Sequence, residues 1–172
     1  MDDDRRMSTD RFYGGVENRI SILQDFLAFV GDDHPSRQEL YDWFDQNTGG
    51  GGEGFVDRNM GFFESLHLVR FDGETCRLGV YGERYDRTHD PFVVLQALRS
   101  GIKGFDTILT ALADSPQTDE EIQDLIVAEF DAASTGTAIK RHREWLQALG
   151  FLTHEGDTNS LTKAGRDAIE TL

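Results

Sequence analysis

Lysine and cysteine are scarce in this 172-residue sequence, and long apolar runs are absent. The single cysteine, Cys76, cannot form an internal disulfide, and no Cys or His accompanies it at the spacing of zinc ligands. None of the three lysines follows an acidic residue by two positions, so the acid-x-lysine end of a metal-dependent nuclease core is missing. No apolar run approaches the roughly 18 to 20 residues of a membrane helix, and the N-terminus, MDDDRRMSTDRF, lacks the apolar region of a signal peptide. The sequence therefore predicts a cytoplasmic protein without a membrane partner.

Groups that could support catalysis are also few. The five histidines are dispersed, and none has a second ligand at helical or hairpin spacing: His34, His67, His89, His142 and His154. The run TGGGGEG at residues 48–54 has no Gly-Lys-Ser/Thr after it and no strand before it. We therefore interpret it as a flexible loop between helices rather than a phosphate-binding loop. We expect no catalytic activity, no cofactor and no bound metal.

The charged residues are mostly acidic, with 32 Asp and Glu against 17 Lys and Arg and a formal net charge of -15. Asp outnumbers Glu by 20 to 12 and Arg outnumbers Lys by 14 to 3, a bias similar to that of proteins from salt-loving archaea. In molar salt the Debye length falls to about 3 Å, so long-range repulsion of a polyanion fades. The net charge of a halophilic protein therefore does not exclude nucleic-acid binding.

The sequence contains an internal repeat. Residues 62–86 align without a gap with residues 145–169, at a shift of 83. The same shift pairs identical residues: Arg58 with Arg141, Leu66 with Leu149, Gly73 with Gly156, Thr75 with Thr158, Leu78 with Leu161 and Gly82 with Gly165. Two copies of one structural unit explain these matches.

Each copy has the pattern of three helices. Apolar residues at helical spacing predict helix one at Ile20, Leu23, Leu27 and Val30, and helix three at Val56, Met60, Phe63 and Leu66. A turn is expected after helix one at Gly31-Asp32-Asp33. Helix two begins at a capping box formed by Ser36 and Glu39, and Thr118 with Glu121 marks the same start in the second copy.

A β-hairpin follows the third helix in each copy. Turn signals lie between short strands, at Asp72-Gly73 between LVRF and TCRLGV and at Glu155-Gly156 between FLTH and NSLT. The segment KAGRDAIETL closes the second copy with a helix. Asp90-Pro91 starts a further short helix, FVVLQALRS, although its apolar run also fits a buried strand.

Three helices followed by a two-stranded hairpin resemble the winged helix-turn-helix superfamily. WLQALGFL, followed after a hairpin by LTKAGRDAI, looks like the passage from recognition helix to wing in many archaeal winged-helix proteins. FFESLHLVRFDGETCRLGVYGERYD is a weaker version of the same passage, which departs at Gly79, where the commoner residue is the threonine seen at Thr162. The segment PFVVLQALRSGIKGFDTILTAL also resembles regions next to helicase-like or nuclease modules in archaeal restriction and defence systems.

The resemblance implies a mainly α fold with small β-hairpin wings, built from two tandem winged helix-turn-helix units of haloarchaeal type. The units are expected at residues 16–88 and 105–172, with a linking helix at 89–104 and a disordered acidic tail at 1–15. The resemblance also implies that the third helix of a unit enters the major groove of DNA.

The densest cluster of positive charge lies on the third helix of the second copy. Because Ile139, Leu146 and Leu149 face inward there, we expect the opposite face to carry Thr137, Lys140 and Arg141. Arg can bond guanine, and Lys and hydroxyl groups can hold phosphate. Ser134 and Thr135 add donors at the helix start, where backbone amides favour an anion. The alternative is that Lys140 and Arg141 only form ion pairs with the acidic second helix, at Asp119, Glu120, Glu121 and Asp124.

Neighbouring residues extend this predicted site. We expect Arg143 to cover the core with its stem and to offer its head to a phosphate, and His142 to be packed and hydrogen-bonded. In the first copy Arg58 takes the place of Arg141, but Asp57 takes the place of Lys140. Groove binding is therefore less favoured there, unless further arginines hold phosphates around it: Arg37, Arg70 and Arg77.

These residues predict a non-catalytic protein that binds double-stranded DNA, as a transcriptional regulator using the third helix of the second unit. The alternative is a protein-interaction or adaptor module of a replication, transcription or restriction/defence assembly. In that case the first unit or the acidic second helix meets a protein partner. Either function is compatible with a homodimer.

Overall fold

The computed structural model describes residues 4–130 and 136–172, and only the backbone of residues 136–138. The chain packs as two units: Asp10–Ala97, the first unit, and Leu98–Leu172 with the N-terminal residues up to Thr9, the second unit. Over the described ranges the fold is mainly helical with small antiparallel β-hairpins, which confirms the predicted fold class. No helix within these ranges has the length and apolar character that crossing a bilayer requires.

The first unit is built around aromatic side chains. Its elements are α1 (Gly15–Asp33), α2 (Arg37–Thr48), α3 (Gly52–Ser65), β1 (Val69–Asp72), β2 (Thr75–Leu78), α4 (Val80–Thr88) and the larger part of α5 (Pro91–Gly101). The rings of Phe12, Phe26, Phe44 and Phe63 are buried against one another. Burying such rings is the main source of stability of a small unit.

The predicted starts of two helices in this unit are confirmed. Ser36 Oγ accepts a hydrogen bond from the Glu39 amide at 3.2 Å, and the Glu39 carboxylate accepts one from the Ser36 amide at 3.4 Å. Asp90 Oδ1 accepts from the Phe92 amide at 3.0 Å and begins α5, so this segment is a helix and not a buried strand.

The second unit repeats the order of elements with a smaller, more aliphatic core. It contains α6 (Phe105–Asp114), β3 (Gln117–Thr118), α7 (Asp119–Phe130), α8 (Gly136–Ala148), β4 (Leu152–Glu155), β5 (Thr158–Leu161) and α9 (Lys163–Ile169). The three strands form an antiparallel sheet in the order β3-β5-β4. Thr118 Oγ1 accepts from the Glu121 amide at 3.2 Å, which confirms the predicted start of α7. Fully buried side chains include Ile108, Leu109, Ile126, Trp145 and Leu146.

The internal repeat predicted from the sequence is present in the backbone. Val69 faces Leu78 in the first hairpin, and Leu152 faces Leu161 in the second, at the same shift of 83 residues. Both hairpins have the same alternation of buried and exposed positions. The two-residue loops lie one residue later than predicted and begin with glycines of φ 63° and 64°, Gly73 and Gly156.

Gly79 and Thr162 begin α4 and α9 in the same extended conformation. The Thr162 hydroxyl accepts from the Gly165 amide at 3.1 Å and donates to the Gly150 carbonyl at 2.6 Å. At position 79 a Cβ atom would lie 2.3 Å from the carbonyl oxygen of His67. The close approach of that carbonyl therefore requires a glycine, which explains why the first copy lacks the threonine that the second has at Thr162.

The expectation of a disordered tail at residues 1–15 is wrong for residues 4–15, which are packed. Phe12 and Tyr13 are buried in the first unit, where the Tyr13 ring stacks on Phe44 at 4.8 Å. In the second unit, the Arg6 amide donates to Gly101 at 3.0 Å and the Arg6 carbonyl accepts from Lys103 at 2.8 Å. The acidic composition of the first residues gave no sign of these non-local contacts. Residues 1–3 lie outside the described ranges.

Two predicted loops are also shorter than expected. The proposed turn at 31–33 is the last turn of α1, and His34, at φ 46°, ends that helix. Only Gly49–Gly51 of the glycine run connects α2 to α3, because the remaining glycines form the first turn of α3. Cys76 lies on β2 as predicted, and burial raises the pKa of its thiol to about 12.

Candidate nucleic-acid interface

Lys140 is the exposed cation of the predicted site on α8. Ile139 and Leu146 of α8 are buried, as is Leu149 directly after it, so the helix presents its other face outward. The Lys140 side chain is 60% exposed, and its Nζ lies 3.8 Å from Glu144 Oε1 one turn along the same helix. The Glu144 side chain is only 17% exposed, but i,i+4 pairs on a helix contribute about 0.3 to 0.5 kcal/mol, so a phosphate can displace Glu144 from the exposed Lys140. The predicted pairing of Lys140 with the acidic second helix does not occur.

Arg141 is less accessible than its sequence position indicates. Its side chain is half-buried, and Nη1 donates to the carbonyl oxygen of Thr9 over 3.5 Å. Its Nε is buried and has no hydrogen-bond partner among the residues that the structure describes. The N-terminal segment therefore covers part of this guanidinium, which a sequence analysis that treated the segment as a tail could not foresee.

Arg143 is a structural residue of the second unit. Its side chain is only 9% exposed, and its guanidinium donates to both carboxylate oxygens of Asp119, at 3.0 and 3.3 Å. Burial opposes ionisation of Asp119, but hydrogen bonds from Arg143 and Asn159 and the charge of Arg143 hold its pKa below the ordinary value. Because its head is engaged by this carboxylate, Arg143 is removed from the candidate phosphate contacts.

His142 is packed and hydrogen-bonded, as predicted. The buried ring lies against Phe105, with 4.7 Å between ring centroids. Nε2 donates to the carbonyl oxygen of Lys103 at 2.9 Å, and Nδ1 lies 3.4 Å from the hydroxyl of Thr9. This histidine therefore joins α8 to two other segments of the unit. Within the described ranges no group of three or more His, Cys, Asp or Glu side chains is arranged to bind a metal ion.

Three residues of the predicted site remain without side-chain information. Ser134 and Thr135 lie outside the described residues. Thr137 lies in the first turn of α8, but only its backbone is described. Their predicted contacts with phosphate remain predictions.

The third helix of the first unit presents a weaker cationic surface. Arg58 is exposed on α3. Beside it, Asp57 accepts from Arg37 Nη1 at 3.0 Å and from the Tyr41 hydroxyl at 2.7 Å. The Arg37 guanidinium also lies over the ring of Phe71, 4.5 Å from its centroid. Arg37 is therefore engaged within the unit, and Arg58 alone remains a candidate on this helix.

The wing of the first unit carries a cationic pair, Arg70 and Arg77, which the sequence indicated as possible phosphate contacts without predicting that they face each other. Arg70 and Arg77 lie directly opposite each other in the hairpin, and with His34 and Glu83 they line a cavity of about 130 Å³. Like charges at opposite positions destabilise a hairpin, and an anion between them would relieve the repulsion. The nearest carboxylate to Arg77 is that of Asp72, 3.8 Å from Nε. The loop predicted at Asp72-Gly73 would have placed Arg70 opposite Thr75, so the pair follows only from the loop that the structure has, one residue later.

No protein-family model matches the chain, and no curated protein matches it. A similar solved structure is the crystal structure of pyrene- and phenanthrene-modified DNA in complex with the BpuJ1 endonuclease binding domain. The similarity covers 96% of this chain and 84% of that chain, with a TM-score of 0.59 and 10% sequence identity. At this identity the likeness shows a shared fold.

Proposed function

We propose that the chain is a non-catalytic protein that binds double-stranded DNA through α8 and acts as a transcriptional regulator. The observation that carries the proposal is the fold likeness over 96% of the chain to a binding domain whose crystal structure is a complex with DNA. The contacts are argued from the charges of this chain, because 10% identity transfers no residue from that domain.

Lys140 is the first contact that we propose. It is the cation of α8 that faces solvent, and the pair that holds it is weak enough to be exchanged for a phosphate. Arg141 contributes a second contact once its head leaves Thr9, and that bond is long at 3.5 Å. In a winged helix-turn-helix protein this face would lie in the major groove.

The first unit adds contacts from its wing. Arg70 and Arg77 form a cationic pair opposite each other, and the two positive charges outnumber the single carboxylate of Glu83 in their cavity, so both arginines can hold one backbone phosphate. Arg58 supplies a further exposed cation on α3. These three arginines give the first unit a role in non-specific binding, since contacts with phosphate carry no sequence information.

A second candidate function is that of an adaptor in a restriction or defence assembly. The structural neighbour is the binding domain of an endonuclease, which favours a chain that delivers another protein to DNA. In this case the DNA contacts stay the same, and the second unit also meets a protein partner. A homodimer is compatible with both candidates.

Titration of labelled mixed-sequence duplex DNA, followed by fluorescence anisotropy at several salt concentrations, tests DNA binding. Lys140→Ala should weaken binding and lower the slope of log K against log salt by about 0.9, the release expected for one phosphate contact. Lys163→Ala is the matched control, because Lys163 forms the same kind of i,i+4 pair, with Asp167 at 3.6 Å, on α9. This variant should bind as the wild type does.

Two results would overturn the proposal. The first is no binding by the wild type between about 50 and 200 mM salt, where contacts with phosphate dominate affinity. The second is an equal loss in Lys140→Ala and Lys163→Ala, since the effect would then reflect net charge and not the α8 surface. The double variant Arg70→Ala and Arg77→Ala separates the units, because it removes the wing contacts and leaves α8 intact.

A further inference from the structure

An open groove runs between α6 and α7 of the second unit. Its volume is about 720 Å³, within the range of binding sites for small molecules and peptides. Leu125, which is 43% exposed, and Ala111 give it an apolar lining. Carboxylates surround this lining: Asp106, Asp114, Glu121, Asp124 and Glu129. An exposed apolar surface with a charged rim is typical of an interaction site.

The corresponding region of the first unit is filled by the unit itself. Leu125 lies seven residues after the cap of α7, and Trp43 lies seven residues after the cap of α2. The Trp43 ring stacks on Phe29 of α1, with 5.6 Å between centroids and 14° between planes. Ile22-Leu23-x-x-Phe26 of α1 aligns with Ile108-Leu109-x-x-Leu112 of α6, at a shift of 86 residues. The counterpart of Phe29 is therefore Ser115, which already ends α6. The second unit therefore lacks both aromatic rings that occupy this region in the first unit.

The rim of the groove keeps much of its negative charge. Asp106 is paired with Arg99, and Glu129 accepts a hydrogen bond from Thr107. Over the ranges that the structure describes, no lysine or arginine forms an ion pair with the remaining carboxylates, Asp114, Glu121 and Asp124. A ligand that fits this rim carries positive charge.

The length of the rim indicates a chain segment rather than a compact ligand. Glu121 and Glu129 are eight residues apart on α7, which corresponds to about 12 Å along a helix axis. Asp106 and Asp114 have the same separation on α6. A polypeptide helix or extended segment can meet carboxylates along that distance while one of its apolar side chains lies on Leu125.

We propose that this groove binds a basic amphipathic segment of a partner protein. An apolar side chain of the segment packs on Leu125 and Ala111, and its lysines and arginines lie against the acidic rim. The apolar contact supplies an anchor, and the charges supply steering and orientation. The site is independent of the proposed DNA contacts, which lie on α8 and on the wing of the first unit.

A labelled peptide of about ten residues tests the proposal, since this length spans the rim. The probe carries a central tryptophan between lysines and arginines, and a second probe has alanine in place of the tryptophan. Wild-type protein should bind the first probe about tenfold more tightly than the second, the usual size of a central apolar anchor. Leu125→Trp, which copies the first unit and fills the groove, should lower affinity for the tryptophan probe about tenfold.

Matched variants separate the groove from general acidity. Asp114→Asn with Asp124→Asn should weaken binding, whereas Asp45→Asn with Glu53→Gln, two exposed carboxylates of the first unit, should not. Equal binding of the two probes, equal effects of the two double variants, or unchanged binding by Leu125→Trp would overturn the proposal. So would equal occupation by spermidine, because a compact polycation would then suffice. If Leu125→Trp does not fold, Leu125→Arg at this exposed position tests the same contact.

Discussion

The two units have the same order of helices and the same hairpin, but they carry opposite charges at corresponding positions of their second and third helices. In the first unit α2 supplies Arg37 and α3 supplies Asp57, whereas in the second unit α7 supplies Asp119 and α8 supplies Arg143. The counterpart of Asp57 on α8 is Lys140, which is 60% exposed. Because the pair of the second unit uses a buried arginine one turn further along, the exposed Lys140 of α8 is paired only with Glu144 of its own helix and can exchange that partner for an external anion.

The hairpins also differ in charge, but here it is the first unit that carries the positive charge. Arg70 and Arg77 face each other in the first hairpin, and Thr153 and Ser160 take their places in the second. The first hairpin therefore carries two facing arginines where the second carries two hydroxyl residues, whereas on the third helix the second unit has Lys140 where the first has Asp57. A repeat preserves packing positions, whereas its surface charges are free to diverge between copies.

The largest expected effect on stability comes from substituting two glycines that occupy the same position in the two units. A Cβ atom at Gly82 would lie 2.0 Å from the Leu68 carbonyl oxygen, and one at Gly165 would lie 2.1 Å from that of Phe151. Gly82→Ala and Gly165→Ala should each lower the free energy of unfolding of their own unit by about 2 to 3 kcal/mol, because backbone must move. Denaturant unfolding followed by tryptophan fluorescence measures both, since Trp43 lies in the first unit and Trp145 in the second.

Gly61→Ala is the matched control for these substitutions. Gly61 is an exposed residue of α3, and no atom lies within 4 Å of its Cβ position. Alanine should raise stability there by about 1 kcal/mol, because it is the better helix former. If all three alanine substitutions lowered the stability, the close backbone contacts of Gly82 and Gly165 within their own units would not be the cause.

The next largest expected loss of stability comes from breaking the buried ion pair between Arg143 and Asp119, which the first unit does not have at the same positions. Arg143→Met copies Met60, the residue at the same position of the repeat, and leaves the Asp119 carboxylate without its guanidinium partner. The second unit should lose about 2 kcal/mol of stability, since charge-assisted hydrogen bonds are lost in a mostly buried site. Trp43→Phe as the background leaves Trp145 as the reporter of this unit.

The exposed ion pair of the first unit provides the comparison. Arg37 and Asp57 have side chains that are 39% and 48% exposed, so Arg37→Met should cost no more than about 1 kcal/mol, including the stacking on Phe71. A loss equal to that of Arg143→Met would mean that burial does not distinguish the two pairs.

Local sequence signals predicted many of the helix starts and both hairpins. The capping box at Ser36 and Glu39 depends on residues three apart, and the hairpin at Gly73 depends on a residue that tolerates positive φ. These features were predictable to within a residue. The position of residues 4–9 was not, because the bonds of Arg6 to Gly101 and Lys103 join segments almost a hundred residues apart.

The candidate site was predictable only in part for the same reason. Helical spacing placed Lys140 outward on α8, and the structure agrees. Spacing placed Arg143 at the border of the apolar stripe, but its guanidinium binds Asp119, which is 24 residues away in the sequence. Arg141 depends on Thr9, which is 132 residues away. Periodicity gives the direction of a side chain, whereas its partner is decided by tertiary contacts.

The smallest expected effect is a dependence on pH that only the second unit should show through Asp119. Its folded pKa lies below 3.8, the ordinary value for the unfolded chain, so the unfolded state binds more protons between the two values. The stabilisation is therefore complete above about pH 4 and is lost as the pH falls through the folded pKa. Unfolding of wild type and Asp119→Asn, followed by Trp145 fluorescence from pH 7 to about pH 3, measures the difference. The gap in stability between wild type and Asp119→Asn should narrow on acidification, because the wild-type carboxylate is then protonated as well. A gap for Asp119→Asn that stays constant with pH would mean that the Arg143 pair does not hold this carboxylate ionised.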